Sequence, residues 1–138
     1  MNQNINQNRR AFLDMLAASE IGPALLAVSD NGYNVIVGST ATNPDLFTSY
    51  ADHPRKLITL RPGLASTAAG RYQSLARYFD VYKAQLGLPD FSPDSQDAIA
   101  LQQIRERGAL PLIDGGVFAL AVARCFSVAS GSSAVNMP

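Results

Sequence analysis

The chain has 138 residues, 47% of them hydrophobic and 16% charged, which suits one folded domain with a real core and excludes a disordered chain. Eleven Lys and Arg balance eleven Asp and Glu, removing the basic surplus on which nucleic-acid binding rests. A single cysteine, Cys125, forms no internal disulfide, no apolar run reaches the length of a membrane span, and the Asn/Gln-rich opening lacks the apolar stretch of an export signal.

Residues 9–20 read as a helix. Phe12, Met15, Leu16 and Ser19 share one face at the i, i+3, i+4, i+7 spacing, while Arg9, Arg10 and Asp14 fall on the solvated side. Gly22-Pro23 is a stop signal, and the apolar run at residues 24–28 has no assigned role. Asn31-Gly32 signals a turn, and residues 33–37 form a β-rich run. A polar loop follows at residues 39–45. Leu57-Ile58-Thr59-Leu60 is a second short strand, closed by Arg61-Pro62-Gly63. These elements predict a β-hairpin lobe over about residues 31–61.

From about residue 68 the pattern turns helical. Tyr72, Leu75, Ala76, Phe79, Tyr82 and Leu86 mark one long amphipathic helix ending at Gly87. Ser92-Pro93 is an N-cap followed by proline at the first helical position, opening a helix that runs to Gly108. A last helix is predicted over residues 117–128, then an aperiodic tail at 129–138. The expected architecture is a single α+β domain. Its helical lobe takes in about residues 9–22 and 66–128, and a cleft separates it from the β lobe.

Among residues able to carry chemistry, Glu20 comes first. It lies four residues after Leu16 and eight after Phe12, so it extends the apolar stripe of the first helix. Burial and the negative end of the helix dipole both disfavour its ionised form, which is what a general acid needs. The alternative at this level is a helix-terminal glutamate turned to solvent. Tyr72 and Gln73, after Gly70, could aim hydrogen bonds at a sugar, although Tyr72 also fits the core stripe. His53, Arg55 and Lys56 form a basic patch on a loop expected to be solvated and to brush an anionic substrate. One histidine without partners at ligand spacing is no metal site, so none is expected. Cys125 is expected to pack within a helix. A retaining hydrolase would need a second carboxylate about 5 Å from the first. Asp30, Asp45 and Asp52 are available, and spacing singles out none of them.

Several blocks, in order over about residues 9–125, resemble phage endolysins of the lambda type. They are residues 10–20 (RAFLDMLAASE), 32–38 (GYNVIVG), 52–57 (DHPRKL), 70–73 (GRYQ) and 100–111 (ALQQIRERGALP). The resemblance implies a lysozyme-like fold and lytic transglycosylase activity on peptidoglycan. Such enzymes cleave the bond between N-acetylmuramic acid and N-acetylglucosamine without water, leaving a 1,6-anhydro sugar. Glu20 then matches the family's catalytic glutamate, and Gly70, Tyr72 and Gln73 fall in its cleft-lining motif. The segments Tyr33–Ile36 and His53–Leu60, the latter including Arg55 and Lys56, match the cleft's upper lip. The T4-type lysozyme pattern places an Asp nine residues after its Glu, where this chain has Ser29.

The resemblance further implies no cofactor, glycan strands as the partner, a monomer, and a sojourn in the host cytoplasm before a holin lesion admits the enzyme to the periplasm. Past Cys125 the family continues through a tryptophan-containing lower lip and a final helix. This chain has no tryptophan, and residues 126–138 are only faintly similar. A catalytically impaired glycan-binding copy of the fold and a hydrolytic lysozyme are the alternatives. The loop at residues 39–44 is also longer than the family's hairpin connection.

Overall fold

A computed structural model describes residues 5–126. Its elements are α1 (Gln7–Glu20), α2 (Pro23–Ala27), β1 (Ile58–Arg61), β2 (Leu64–Ser66), α3 (Ala76–Leu86), α4 (Pro93–Glu106), α5 (Leu110–Asp114) and α6 (Phe118–Phe126). The α+β reading holds: helices accompany a small, largely exposed two-stranded antiparallel sheet.

Helix α1 forms where its stripe predicts. Asn6 caps it, accepting a hydrogen bond from the Arg9 amide at 2.8 Å, and Phe12, Leu13, Leu16 and Ala17 are buried. They enter the larger core cluster with Ala100, Ile104 and Leu110. The polar face of α1 is less solvated than expected. Arg9 forks onto Asp114 with two 2.8 Å bonds, Arg10 reaches Asp97 at 2.7 Å, and Asp14 accepts from Arg71 at 2.9 Å. Charged residues on this face therefore tie α1 to three other segments.

Gly22, at φ +90°, takes the chain out of α1, and Pro23 opens a second helix. The unexplained apolar run at 24–28 is that five-residue helix and its cap, with Leu25 buried.

The hairpin differs from the expectation. Residues 33–37 make turns and two isolated bridges, Val35 with Leu46 and Ile36 with Ala69, and no strand. Val35 and Ile36 are almost fully buried, so their β-branched side chains serve as core plugs. The true hairpin pairs Ile58 with Ser66 and Thr59 with Ala65, with an irregularity before Arg61 meets Leu64. Arg61-Pro62-Gly63, read as the end of a strand, is the hairpin's tip, and Gly63 supplies the positive φ. The β lobe accordingly runs on to Ser66.

Helix α3 starts at Ala76 rather than near Tyr72. Gly70 and Gln73 both have positive φ, and Ala69 bridges Ser74, so the Gly70–Gln73 segment is a tight turn. Gly87 closes α3 in the left-handed conformation, as its position predicts. Ser92 caps α4 with Pro93 behind it. The short α5, with Pro111 in its first turn, was not anticipated. Helix α6 carries buried Cys125. The predicted extension to residue 128, the tail, and any lower-lip segment lie outside the described residues. Within those residues, no helix is long and apolar enough to cross a membrane.

Candidate active site

The C-terminal end of α1, the β1–β2 hairpin and the start of α3 enclose a cleft of about 570 Å³. Glu20 lies on its wall. Leu57, Leu60 and Leu64 of the hairpin face it, and Gln73, Leu75 and Arg77 complete the side nearest α3. Among the described residues, Glu20 is the only carboxylate in that lining.

Glu20 is where the stripe of α1 delivers it, one turn beyond Leu16 and Ala17. Its Oε1 atom is buried and has no hydrogen-bond partner. Desolvation raises its pKa from 4.5 to about 7, because the anion loses water and gains no compensating donor. The solvent-turned alternative is thereby set aside. A carboxyl poised near neutrality in a cleft can donate a proton and take one back at working pH.

The remaining acids are engaged elsewhere. Asp30 accepts from the Tyr50 hydroxyl, Asp45 faces Lys56 at 3.5 Å, and Asp52 is held by Arg55 at 2.9 Å. None of the three lines the cleft.

Residues 10–131 match the family model for endolysins. The chain belongs to the endolysin family. It is 58% identical over 125 residues to the endolysin of Escherichia phage lambda, a match spanning 90% of this chain and 76% of that protein. To the endolysin of Escherichia phage P2 it is 48% identical over 131 residues, spanning 91% and 79%. The fold superposes on the lysozyme from bacteriophage lambda with a TM-score of 0.81 at 57% identity, covering 91% of this chain and 79% of the other. A second structure of that lysozyme, complexed with a chitohexasaccharide, matches with the same TM-score at 55% identity and the same coverage. The lysozyme-like fold expected from the sequence is therefore established.

The residues singled out in the sequence occupy three places in this endolysin fold. Glu20 and Gln73 line the cleft. Gln73 sits in the left-handed region at φ +52°, and its Nε2 donates to the Gly70 carbonyl at 2.8 Å and the Val35 carbonyl at 3.3 Å. Those two bonds lock the turn that presents it.

Gly70, Tyr72 and Tyr33 are outside the cleft lining. A Cβ at Gly70 would strike the Gln96 side-chain amide and approach Phe91 to 3.0 Å, and φ there is +87°. Tyr72 and Tyr33 are buried and turn their hydroxyls to Asp97, at 2.6 and 2.9 Å. Both tyrosine hydroxyls are thus engaged by Asp97 inside the fold. Gln96 braces the same turn, accepting from the Arg71 amide and donating to the Tyr33 and Phe91 carbonyls.

His53, Arg55 and Lys56 form the third group, outside the cleft lining. The loop is not wholly solvated, as had been expected, because His53 is buried between Phe79 and Phe91. Its Nε2–H donates to the Ser74 carbonyl at 2.8 Å, and its Nδ1 accepts from the Arg55 amide at 2.9 Å. Burial pushes its pKa down, and both ring nitrogens are used by a neutral imidazole. Arg55 is exposed but clamps Asp52 and Asp80, while Lys56 reaches toward Asp45. Together they anchor the stretch leading into β1.

Sequence reasoning missed Arg77, Leu64 and Asp97, while Leu57 and Leu60 fall in the lip segment that the resemblance implies. The apolar residues Leu57, Leu60 and Leu64 are largely exposed on the cleft's rim, which no periodicity reveals. Asp97 looks like an ordinary helical acid until residues 64 and 25 positions away are brought onto it.

Proposed function

We propose that this endolysin is a peptidoglycan-cleaving lytic transglycosylase, with Glu20 serving in turn as general acid and general base. The observation that carries the reading is the solitary, desolvated carboxyl in the cleft. The relatives' names support glycan cleavage, since one is a lysozyme complexed with a chitohexasaccharide.

The chemistry requires one such group. Protonated Glu20 gives its proton to the glycosidic oxygen as the bond from that oxygen to the anomeric carbon of N-acetylmuramic acid breaks. The departing N-acetylglucosamine leaves as an alcohol, and positive charge develops at the anomeric carbon. The carboxylate then takes the proton of the same muramic residue's 6-hydroxyl, whose oxygen closes on that carbon. The 1,6-anhydro ring forms, Glu20 is protonated again, and no water is consumed. A pKa near 7 suits both halves of this cycle. A retaining hydrolase would instead use a second carboxylate at about 5 Å and an inverting one a carboxylate placed to activate water, and among the described residues the cleft lining has neither.

The enzyme acts as a single chain on wall glycan in the periplasm, reached from the host cytoplasm through a holin lesion. Mass analysis of digested sacculi tests the mechanism. Muropeptides ending in anhydro rings, lighter by one water than reducing-end products, are expected. Reducing ends alone would make the enzyme a hydrolase, and no release of muropeptides would make it a binding protein.

A further inference from the structure

Among the described residues, the cleft lining carries one positive charge, that of Arg77 near the start of α3. Four other arginines of the fold are paired. Arg9 pairs with Asp114, Arg10 with Asp97, Arg55 with Asp52 and Asp80, and Arg71 with Asp14. Arg77 is exposed, and no hydrogen bond or ion pair engages it among the described residues. Residues 1–4 and 127–138 contain no Asp or Glu side chain. Its guanidinium lies 4.8 Å from the Tyr78 ring centroid, an aromatic contact that limits its wandering and leaves its donors open.

The rest of the lining is apolar or neutral apart from Glu20. When Glu20 holds the proton it must deliver, the lining bears a single net positive charge. An anion on the glycan is favoured in that state, and a neutral glycan gains nothing from it.

We propose that Arg77 is a specificity residue, donating to a carboxylate of the glycan so that the cleft prefers muramic-acid-containing strands over neutral N-acetylglucosamine strands. The inference rests on the peptidoglycan reading above. Two parts of that polymer supply carboxylates: the lactyl group of the muramic residue, once its peptide is removed, and the stem peptide while it remains attached. The guanidinium's fork suits either.

The test measures affinity of the full chain and of Arg77→Gln and Arg77→Lys for three soluble probes. These are uncrosslinked peptidoglycan strands with stems, the same strands stripped by an amidase, and chitohexaose. Arg77 is exposed, so the substitutions leave the core untouched. Arg77→Gln should weaken binding of at least one carboxylate-bearing strand by roughly three- to tenfold. Chitohexaose affinity should not change, and Arg77→Lys should recover part of the loss. Loss on stemmed strands alone assigns the stem, and loss on stripped strands alone assigns the lactyl group. Equal losses on all three probes, or none on either strand, overturn the proposal. Wild-type turnover of sacculi is read in parallel. A protein that shows the Arg77 preference but releases no muropeptides would refute the enzymatic reading while leaving the specificity in place.

Discussion

Glu20 and Asp97 are both withdrawn from water, on helices that share the larger core cluster, and the fold treats them in opposite ways. Asp97 is fully buried, with an arginine and two tyrosine hydroxyls converging on it at 2.6–2.9 Å. Its charge and lone pairs are answered, and the result is a fixed joint between α1, the Tyr33 segment, the Gly70 turn and α4. Glu20 has an unanswered oxygen, no basic residue in the last turn of its helix, and an elevated pKa. Burial alone therefore does not make an acid reactive. Burial without partners raises the pKa toward neutrality, the condition that general acid–base work requires.

The largest expected effect comes from removing the unanswered carboxyl. Glu20→Gln should lower turnover of sacculi by roughly 10²–10⁴-fold, the range typical of a lost general acid, while the thermal midpoint does not fall. Turnover near the wild-type level would end the catalytic assignment.

Removing the answered carboxyl should do the reverse and strike stability first. Asp97→Ala strands the Arg10 guanidinium and two phenols, at a cost of about 3–5 kcal/mol in urea unfolding. An unchanged midpoint would mean that the joint does not hold the lobe together.

Gly70→Ala tests how far the Gly70 turn depends on that joint. A side chain at φ +87° pressed against Gln96 should cost about 1–3 kcal/mol, and it should also reduce turnover by displacing Gln73. Full retention of both properties would show the turn to be more tolerant than its packing implies.

The smallest effect is the pH dependence of Glu20's own contribution. The folded-state pKa of about 7 exceeds the ordinary value of 4.5, so between them the folded state binds more protons than the unfolded one. Stability from this group is complete below pH 4.5 and is lost as the pH rises to 7. Relative to Glu20→Gln, the wild type should lose about 1–2 kcal/mol across that window, after allowance for partial solvent access. Parallel stability curves for the two proteins would argue that Glu20 is not desolvated.

The contrast between the two carboxylates also marks what a sequence can reveal. Glu20 was legible because one helix places it: the spacing from Phe12 and Leu16 is local, and both are buried, although Ser19, read on the same face, is exposed. The capped start of α4 was legible for the same reason. Asp97 was not, because Arg10, Tyr33 and Tyr72 converge on it only after folding. Likewise, residues 33–37 have strand propensity, but turns before and after them redirect the backbone while Val35 and Ile36 fill the core. Arg77 looks like the solvated face of an amphipathic helix, and only the hairpin opposite turns that face into a cleft wall.

Digestion of sacculi in heavy-oxygen water tests the central claim most directly, because a single unpartnered carboxyl that recycles its own proton has no use for solvent as a reactant. The account predicts muropeptides with anhydro ends and no incorporated label. Heavy oxygen at the anomeric carbon of newly formed ends would contradict it.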